Sequence, residues 1–197
     1  MSEKTPQDDS WEIGQDFFYG ISRRKNYRKA FPYLLKAALL GEIHCANLVG
    51  FCFSLGLGVE KDMKQALHWY KRAAKYDHEV ALYCLALFYE NGEGVEKNDK
   101  KAFSLYKKAA ELGEVWAQCN LGIRYLEGTG TKQDLTKGIQ WMRKAAQQGD
   151  AIAQYNLGMA YLDGEGVRTN RRNARIWLEK AAEQGHKRAT TALKRVG

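Results

Sequence analysis

Histidine, cysteine and acidic side chains are the residues of this chain that could carry catalysis or bind a metal. The four histidines, His44, His68, His78 and His186, show no zinc-ligand spacing with the cysteines. His44 and Cys45 are consecutive, and consecutive helical residues point about 100° apart, so they do not form a nucleophile–base pair. The acids show no recurring pair suited to acid–base work. We therefore predict no catalytic residue, no metal site and no cofactor.

The cysteines are Cys45, Cys52, Cys84 and Cys119. Cys45 and Cys52 lie roughly 10 Å apart along one predicted helix, beyond the roughly 7 Å Cα limit for a disulfide. Free, mostly buried thiols fit a reducing compartment. The first ten residues lack the apolar run of a signal peptide, and no stretch reaches the roughly 20 apolar residues of a membrane span. We predict a cytoplasmic protein without membrane contact.

A formal net charge of +8 raises the possibility of nucleic-acid binding. Half of that excess comes from the last twelve residues, which hold four cations and no acid. One basic position recurs through the chain, as Lys36, Arg72, Lys108, Lys144 and Lys180. It falls in the last turns of predicted helices, where cations offset the helix dipole. Nucleic acid is therefore the disfavoured partner, because binding requires cations clustered on one surface.

The elements that position these residues are repeated units. Double alanines recur every 36 residues, at positions 37–38, 73–74, 109–110, 145–146 and 181–182. A constant period of this length indicates stacked two-helix units. The prediction is one all-α domain over residues 1–197, with repeats at 6–41, 42–77, 78–113, 114–149 and 150–185 and a capping helix at 186–197.

Each repeat is predicted to contain an A helix, a glycine loop and a B helix. Glycine ends each A helix, at positions 20, 56, 92, 128 and 164, and a second loop glycine follows in all repeats except the first. A residue suited to N-capping starts each B helix, namely Asn26, Asp62, Asn98, Asp134 and Asn170. Four B helices close at a glycine, and Asp77 takes that place in the second, which predicts a poorer helix end there.

Three details of this parse are predictions about helix ends and packing. Small residues at positions 14, 50, 86, 122 and 158 predict close approach between helices. Pro32 predicts a kink or a late start in the first B helix. Thr5 and Pro6 predict a helix cap at the start of the first A helix.

The last full repeat, AIAQYNLGMAYLDGEGV followed by a helix ending in KAAEQG, resembles the Sel-1-like repeat, a relative of the tetratricopeptide repeat. The resemblance implies a right-handed α-solenoid whose A helices line the concave side, and a role as an adaptor or scaffold for protein complexes. It implies no catalytic residue. Some secreted members carry disulfides between the helices of one repeat, whereas Cys45 and Cys52 share one predicted helix.

The side of each A helix opposite its core stripe is the predicted binding surface, called here the A-face. The residues proposed to contact a partner are Trp11, His44, Asn47, Phe51, Tyr83, Leu87, Trp116, Ile123, Tyr155 and Met159. The remaining A-face positions are Gln15, Phe18, Tyr19, Leu55, Val80, Asn91, Cys119, Leu126, Glu127, Ile152, Leu162 and Asp163. Contiguous apolar surface of this kind marks binding sites.

The sequence therefore predicts a monomeric, non-enzymatic adaptor that holds a partner protein or peptide on its A-face. An inhibitor or immunity-type protein that wraps a toxin or enzyme is a specific form of this role. The alternatives are a basic helical-repeat protein that binds nucleic acid and a hydrolase of the cysteine-rich Sel-1-like branch.

Overall fold

A computed structural model describes residues 9–196, which form eleven α-helices and no strand. The helices are α1 (Ser10–Tyr19), α2 (Tyr27–Leu39), α3 (Ile43–Leu55), α4 (Met63–Ala74), α5 (Glu79–Asn91), α6 (Asp99–Glu111), α7 (Val115–Glu127), α8 (Leu135–Gln147), α9 (Ala151–Asp163), α10 (Arg171–Glu183) and α11 (Lys187–Leu193). The predicted all-α class and the alternation of A and B helices are confirmed.

The helices belong to two compact units, α1–α5 and α6–α11, and the second unit begins at Asn98. Within each unit, every helix packs against the next one along the chain. This nearest-neighbour packing is the pattern of a repeat protein, in which each unit contacts only its neighbours. A single core running through all of residues 1–197 stays a prediction.

The loop in each repeat begins at the glycine that ends the A helix and ends at the side chain that caps the B helix, as predicted. The side chains of Asn26, Asn98 and Asn170 each accept a hydrogen bond from the backbone N–H three residues later, at 2.9–3.0 Å. Gly20 and Gly164, like the other glycines that end A helices, have φ near +75°. These local rules were enough to place the loops in the sequence.

Asp77 ends the second B helix in the conformation that glycine adopts elsewhere. Its φ is +60°, and it is the one non-glycine residue with positive φ between residues 9 and 196. Aspartate tolerates this region better than most residues, because its short polar side chain can bond locally. The predicted weakness of this helix end therefore takes the form of an unfavourable backbone conformation.

Glycines inside the A helices allow the B helix of the same repeat to approach closely. A Cβ atom on Gly14 would lie 2.9 Å from Leu34 Cδ2, and one on Gly158 would lie 2.7 Å from Leu178 Cγ. Leu34 and Leu178 are fully buried. The close approach predicted from the small-residue position is therefore present. It explains why these helices contain glycine, which is about 1 kcal/mol less favourable than alanine inside a helix.

Two predictions about the first repeat have different outcomes. Helix α2 begins at Tyr27, directly after its Asn26 cap, and runs through Pro32, so a late start is excluded and a kink at Pro32 stays a prediction. The Asn26 side chain accepts a hydrogen bond from the Lys29 N–H at 3.0 Å, which fixes the first turn ahead of Pro32. The predicted cap at Thr5 and Pro6 lies outside the described residues.

Glutamine side chains join successive repeats in the second unit. Within single repeats, Gln148 Nε2 donates to Gln118 Oε1 at 2.8 Å, and Gln184 Nε2 donates to Gln154 Oε1 at the same distance. Gln118 and Gln154 are buried and also donate to backbone carbonyls of the preceding B helix. These bonds satisfy buried amides while fixing the register between repeats.

Candidate partner-binding face

The A-face of the first unit carries an exposed aromatic patch at the C-terminal ends of α1 and α3. Phe51 is 38% exposed and Tyr19 is 46% exposed. Both rings lie against Phe18, with centroid distances of 6.2 and 4.9 Å. Phe18 itself is buried, so its predicted place on the open face is wrong, because these two rings cover it. Leu55, one turn beyond Phe51, is also exposed.

Asn47 was predicted to contact a partner, and the structure corrects this. It is only 6% exposed, and its Oδ1 has no hydrogen-bond partner among the described residues. The 100° rule places a residue on one side of its own helix but does not show what the neighbouring helices cover. An unsatisfied buried acceptor costs roughly 1–3 kcal/mol. Trp11, Tyr83 and Leu87 are half-buried on the same face.

His44 belongs to a chain of side chains rather than to an open surface. The Ala81 N–H donates to His78 Nδ1 at 3.4 Å, so neutral His78 carries its proton on Nε2. That nitrogen lies 3.3 Å from His44 Nδ1, and His44 Nε2 lies 3.4 Å from the Tyr19 hydroxyl. Trp11 meets the His44 ring edge-on at 5.7 Å. Both imidazoles must be neutral for this series of hydrogen bonds to form.

The contact between His44 and His78 was not predicted from the sequence. His78 caps α5 and His44 lies on α3, so the two meet only because the A helices of successive repeats stack. Burial lowers the pKa of both histidines, and the Glu79 carboxylate acts weakly in the opposite direction. The pair is therefore a candidate for pH-dependent stability.

We expect acidification to destabilise the first unit through this pair. A histidine with a lowered folded-state pKa binds fewer protons in the folded than in the unfolded protein. The free energy of unfolding should therefore be highest above the ordinary pKa of 6.5 and fall as the pH drops below it. Urea unfolding between about pH 7.5 and about pH 5.5 measures this slope. His44→Gln should reduce the change in the free energy of unfolding with pH.

The exposed His68 supplies the control for that experiment. His68→Gln should leave the slope of the wild-type protein unchanged. A slope that is the same in the His44→Gln variant and in the wild type would show that the paired histidines do not couple to folding.

In the second unit, the exposed apolar residues of the A-face are Trp116 and Ile152. Trp116 on α7 is 57% exposed and Ile152 on α9 is 52% exposed. Ile123 is instead half-buried against the core formed around Met142, and Cys119 is buried within that core. Periodicity places Cys119 on the A-face, but side chains of α8 and α9 in this cluster enclose it, as expected for a buried thiol.

Tyr155 and Met159 form one wall of a shallow depression between α9 and α11. The Tyr155 ring stacks on His186 with centroids 4.6 Å apart, and Met159 packs against the terminal core cluster. The depression has a volume of about 230 Å³, and its opposite wall includes Arg188 and Arg195. Both predicted residues are half-buried and keep one side open to it.

The recurring basic position has a structural explanation in three repeats. Lys144 Nζ lies 4.0 Å from the centroid of Trp141, and Lys180 Nζ lies 4.7 Å from that of Trp177. Arg72 stacks on Trp69 and also donates to the Leu39 carbonyl at 3.3 Å. These cations are held by cation–π contacts at the ends of B helices. These contacts give the three cations a structural role within their own helices.

The cysteines and acids occupy structural positions. Cys45 and Cys52 lie on the same helix, α3, and all four thiols are free. Asp16 has a lowered pKa because it accepts bonds from the Ser22 hydroxyl and backbone N–H, with Arg23 nearby. Residues 9–196 contain no cluster of three His, Cys, Asp or Glu side chains that could hold a metal ion.

The buried thiols should react slowly in the folded protein. Burial raises the pKa of Cys45 and Cys52 to about 12, and the thiolate is the reactive form. We expect iodoacetamide at about pH 8 to label these cysteines only after unfolding in urea. Mass spectrometry of the labelled peptides checks this, and rapid labelling of either cysteine without urea would contradict the burial described above.

None of the helices within residues 9–196 has the length and apolar character needed to cross a bilayer. Comparison with protein-family profiles matches the Sel1 repeat five times, at residues 12–42, 43–78, 80–114, 117–150 and 151–186. These matches follow the successive helix pairs. A comparison with curated protein sequences gives no match.

Among solved structures, the chain is similar to a Sel1 repeat protein from Oxalobacter formigenes, with 30% identity and a TM-score of 0.86 over 95% of this chain and 76% of the other. It is also similar to a protective antigen of uropathogenic Escherichia coli that has an SLR fold. That likeness has 29% identity and a TM-score of 0.85 over 95% of this chain, which spans only 40% of the antigen.

An immunity protein from Pseudomonas aeruginosa matches at 22% identity and a TM-score of 0.60, over 96% of this chain and 70% of the other. At that identity the likeness shows the fold alone. The profile matches cover most of the chain, and the two more similar structures have the same repeat fold. The chain therefore belongs to the Sel1 repeat family.

Proposed function

We propose that this chain is a non-enzymatic adaptor that binds a partner protein or peptide on its A-face. Sel1 repeats are commonly protein-interaction scaffolds, and the fold is generally non-catalytic. The observation that carries the proposal is the exposure of large apolar side chains, above all Phe51 and Trp116, on the A helices. Tryptophan and other large aromatics dominate the energetics of protein interfaces.

The A-face is a better candidate than the other exposed apolar positions. Tyr19, Phe51 and Leu55 share one end of α1 and α3 in the first unit, with two of the rings in contact with Phe18. Half-buried side chains adjoin them, so a ligand would meet apolar surface that is already held in place. Pre-ordered aromatic side chains lose little conformational entropy on binding.

The proposed setting is a monomer in the cytoplasm. Free thiols at Cys45, Cys52, Cys84 and Cys119 fit a reducing compartment. An inhibitor or immunity-type protein is a specific form of the proposed role. The Pseudomonas aeruginosa immunity protein shares the fold with this chain, and its low identity lends no weight to that specific form.

Affinity capture from native lysate, read by mass spectrometry, tests the proposal. The wild-type chain is compared with a variant carrying Phe51→Glu and Trp116→Glu. The matched control carries Tyr76→Glu and Ile176→Glu, off the A-face, where exposures of 59% and 40% are close to the 57% of Trp116 and the 38% of Phe51. Each pair changes one residue in each unit.

We expect the A-face variant to lose a partner that both the wild type and the control retain. Circular dichroism must show the same helix content for all three proteins. If the A-face variant keeps every partner of the wild type, or if both variants lose the same partners, the A-face is not the binding surface.

A further inference from the structure

Positive charge is concentrated in the loop and first helical turn that join α1 to α2. Residues 23–29 contain five cations and no acid. The corresponding residues of the second repeat, 59–65, contain two cations and two acids. The net charge of the whole first repeat does not show this difference, because the acids of that repeat lie before residue 23. Residues 23–29 are called here the basic loop.

The basic loop surrounds a surface depression of about 570 Å³. Its lining residues are Phe17, Arg23, Arg24, Lys25, Asn26 and Lys29. The Arg23 guanidinium lies 5.0 Å from the centroid of Phe17, and Lys29 Nζ lies 5.7 Å from the same centroid. Phe17 thus holds two cations at the depression through cation–π contacts. Their positive charge is partly ordered before any ligand arrives.

Most of this charge has no acidic partner within the described part of the chain. Asp16 forms an ion pair with Arg23 at 3.2 Å, and its oxygens also accept the two bonds from Ser22. Arg24 and Lys29 line the same depression without an ion pair among residues 9–196. Cations in the first turn of a helix are also unfavourable to its dipole, so helix stability does not account for Arg28 and Lys29.

We propose that the basic loop binds an acidic segment of a partner protein, through carboxylates that pair with Arg24, Lys25 and Lys29. The inference rests on the proposed function only in taking a protein as the partner, since none of these residues belongs to the A-face. A protein segment fits better than nucleic acid, because the charge is confined to one loop. A protein that makes about 6–10 phosphate contacts needs cations along a longer surface, and the balanced loop at residues 59–65 does not continue the cluster.

Fluorescence anisotropy with a fluorescein-labelled hexaglutamate peptide tests this site at about 50 mM salt. The test variant carries Arg24→Glu and Lys25→Glu. The matched control carries Arg168→Glu and Arg172→Glu, which change the net charge equally, and Arg168 lies at the position equivalent to Arg24 four repeats later. All four side chains are exposed, so the fold should persist, and circular dichroism checks it.

We expect the test variant to bind hexaglutamate at least about tenfold more weakly than the wild type, a change of about 1.4 kcal/mol. The control should bind within about threefold of the wild type, about 0.7 kcal/mol. Equal weakening in both variants would show attraction to net charge only and would overturn the proposal. So would the absence of binding by the wild type.

Two further measurements separate this site from other possibilities. A fluorescein-labelled hexathymidylate should bind more weakly than hexaglutamate, and tighter binding of the oligonucleotide would overturn the choice of a protein ligand. The Phe51→Glu and Trp116→Glu variant should bind hexaglutamate as the wild type does, because its changes lie outside the basic loop. Hexaglutamate binding by the basic loop can therefore be observed even if the A-face proposal fails.

Discussion

Replacing Gly58 by alanine is expected to lower the free energy of unfolding by about 2–5 kcal/mol. Gly58 has a φ of +74°, which disfavours any side chain. A Cβ atom there would also lie 2.2 Å from the backbone carbonyl oxygen of Tyr27, in the preceding repeat. Because that atom belongs to the backbone, the two repeats would have to move apart.

Gly94→Ala provides the control for that prediction. Gly94 has a similar φ of +66°, but its nearest neighbour would be Leu67 Cδ2 at 3.7 Å, an ordinary contact distance. We expect only the backbone effect of about 1–2 kcal/mol. Urea unfolding followed by circular dichroism measures both variants. Equal losses would show that the contact between repeats at Gly58 contributes nothing.

Replacing Trp116 by alanine is expected to weaken binding of the captured partner by about thirtyfold or more, which is about 2 kcal/mol. Trp116 exposes 57% of its surface on the A-face of the second unit, with exposed Ile152 at the equivalent position of the next repeat. A large indole buried on binding would lose both apolar contact area and packing when truncated.

Tyr76→Ala is the matched control, since Tyr76 is 59% exposed and lies between α4 and α5, off the A-face. Its effect on the same Kd should be within about threefold. Isothermal titration measures both variants against the partner. A large effect at Tyr76 together with none at Trp116 would move the binding surface to the turns between repeats.

The repeat boundaries, loops and caps could be predicted because they depend on local rules. Asn26 caps α2 through a bond that spans three residues, and Gly20 ends α1 through its own backbone angle. Both signals lie within a few residues of their effect. Their recurrence every 36 residues made each assignment stronger than a single occurrence would.

Contacts between repeats could not be predicted, because they depend on how successive units stack. The second loop glycine was explained from its turn alone, yet Gly58 is also pressed against the carbonyl of Tyr27. The stacked repeats therefore give Gly58 a second reason to be glycine that the turn alone does not show.

The same limit applies to the A-face. Helical periodicity put Asn47 and Phe51 on one side of α3, but only the stacked structure shows that Asn47 is covered and Phe51 is open. His44 and His78 are 34 residues apart, two short of the repeat period, so their contact has no simple signature in the sequence. Periodicity identifies a face, and the neighbouring repeats decide which of its residues a partner can reach.

The affinity of the captured partner for the two matched double variants shows whether the partner binds on the A-face. We predict that Phe51→Glu with Trp116→Glu raises the Kd at least about a hundredfold, about 2.7 kcal/mol, because it places charges where apolar surface must be buried. Tyr76→Glu with Ile176→Glu should change it by no more than about threefold. Equal changes in the two variants, or a larger change in the second, would contradict binding on the A-face.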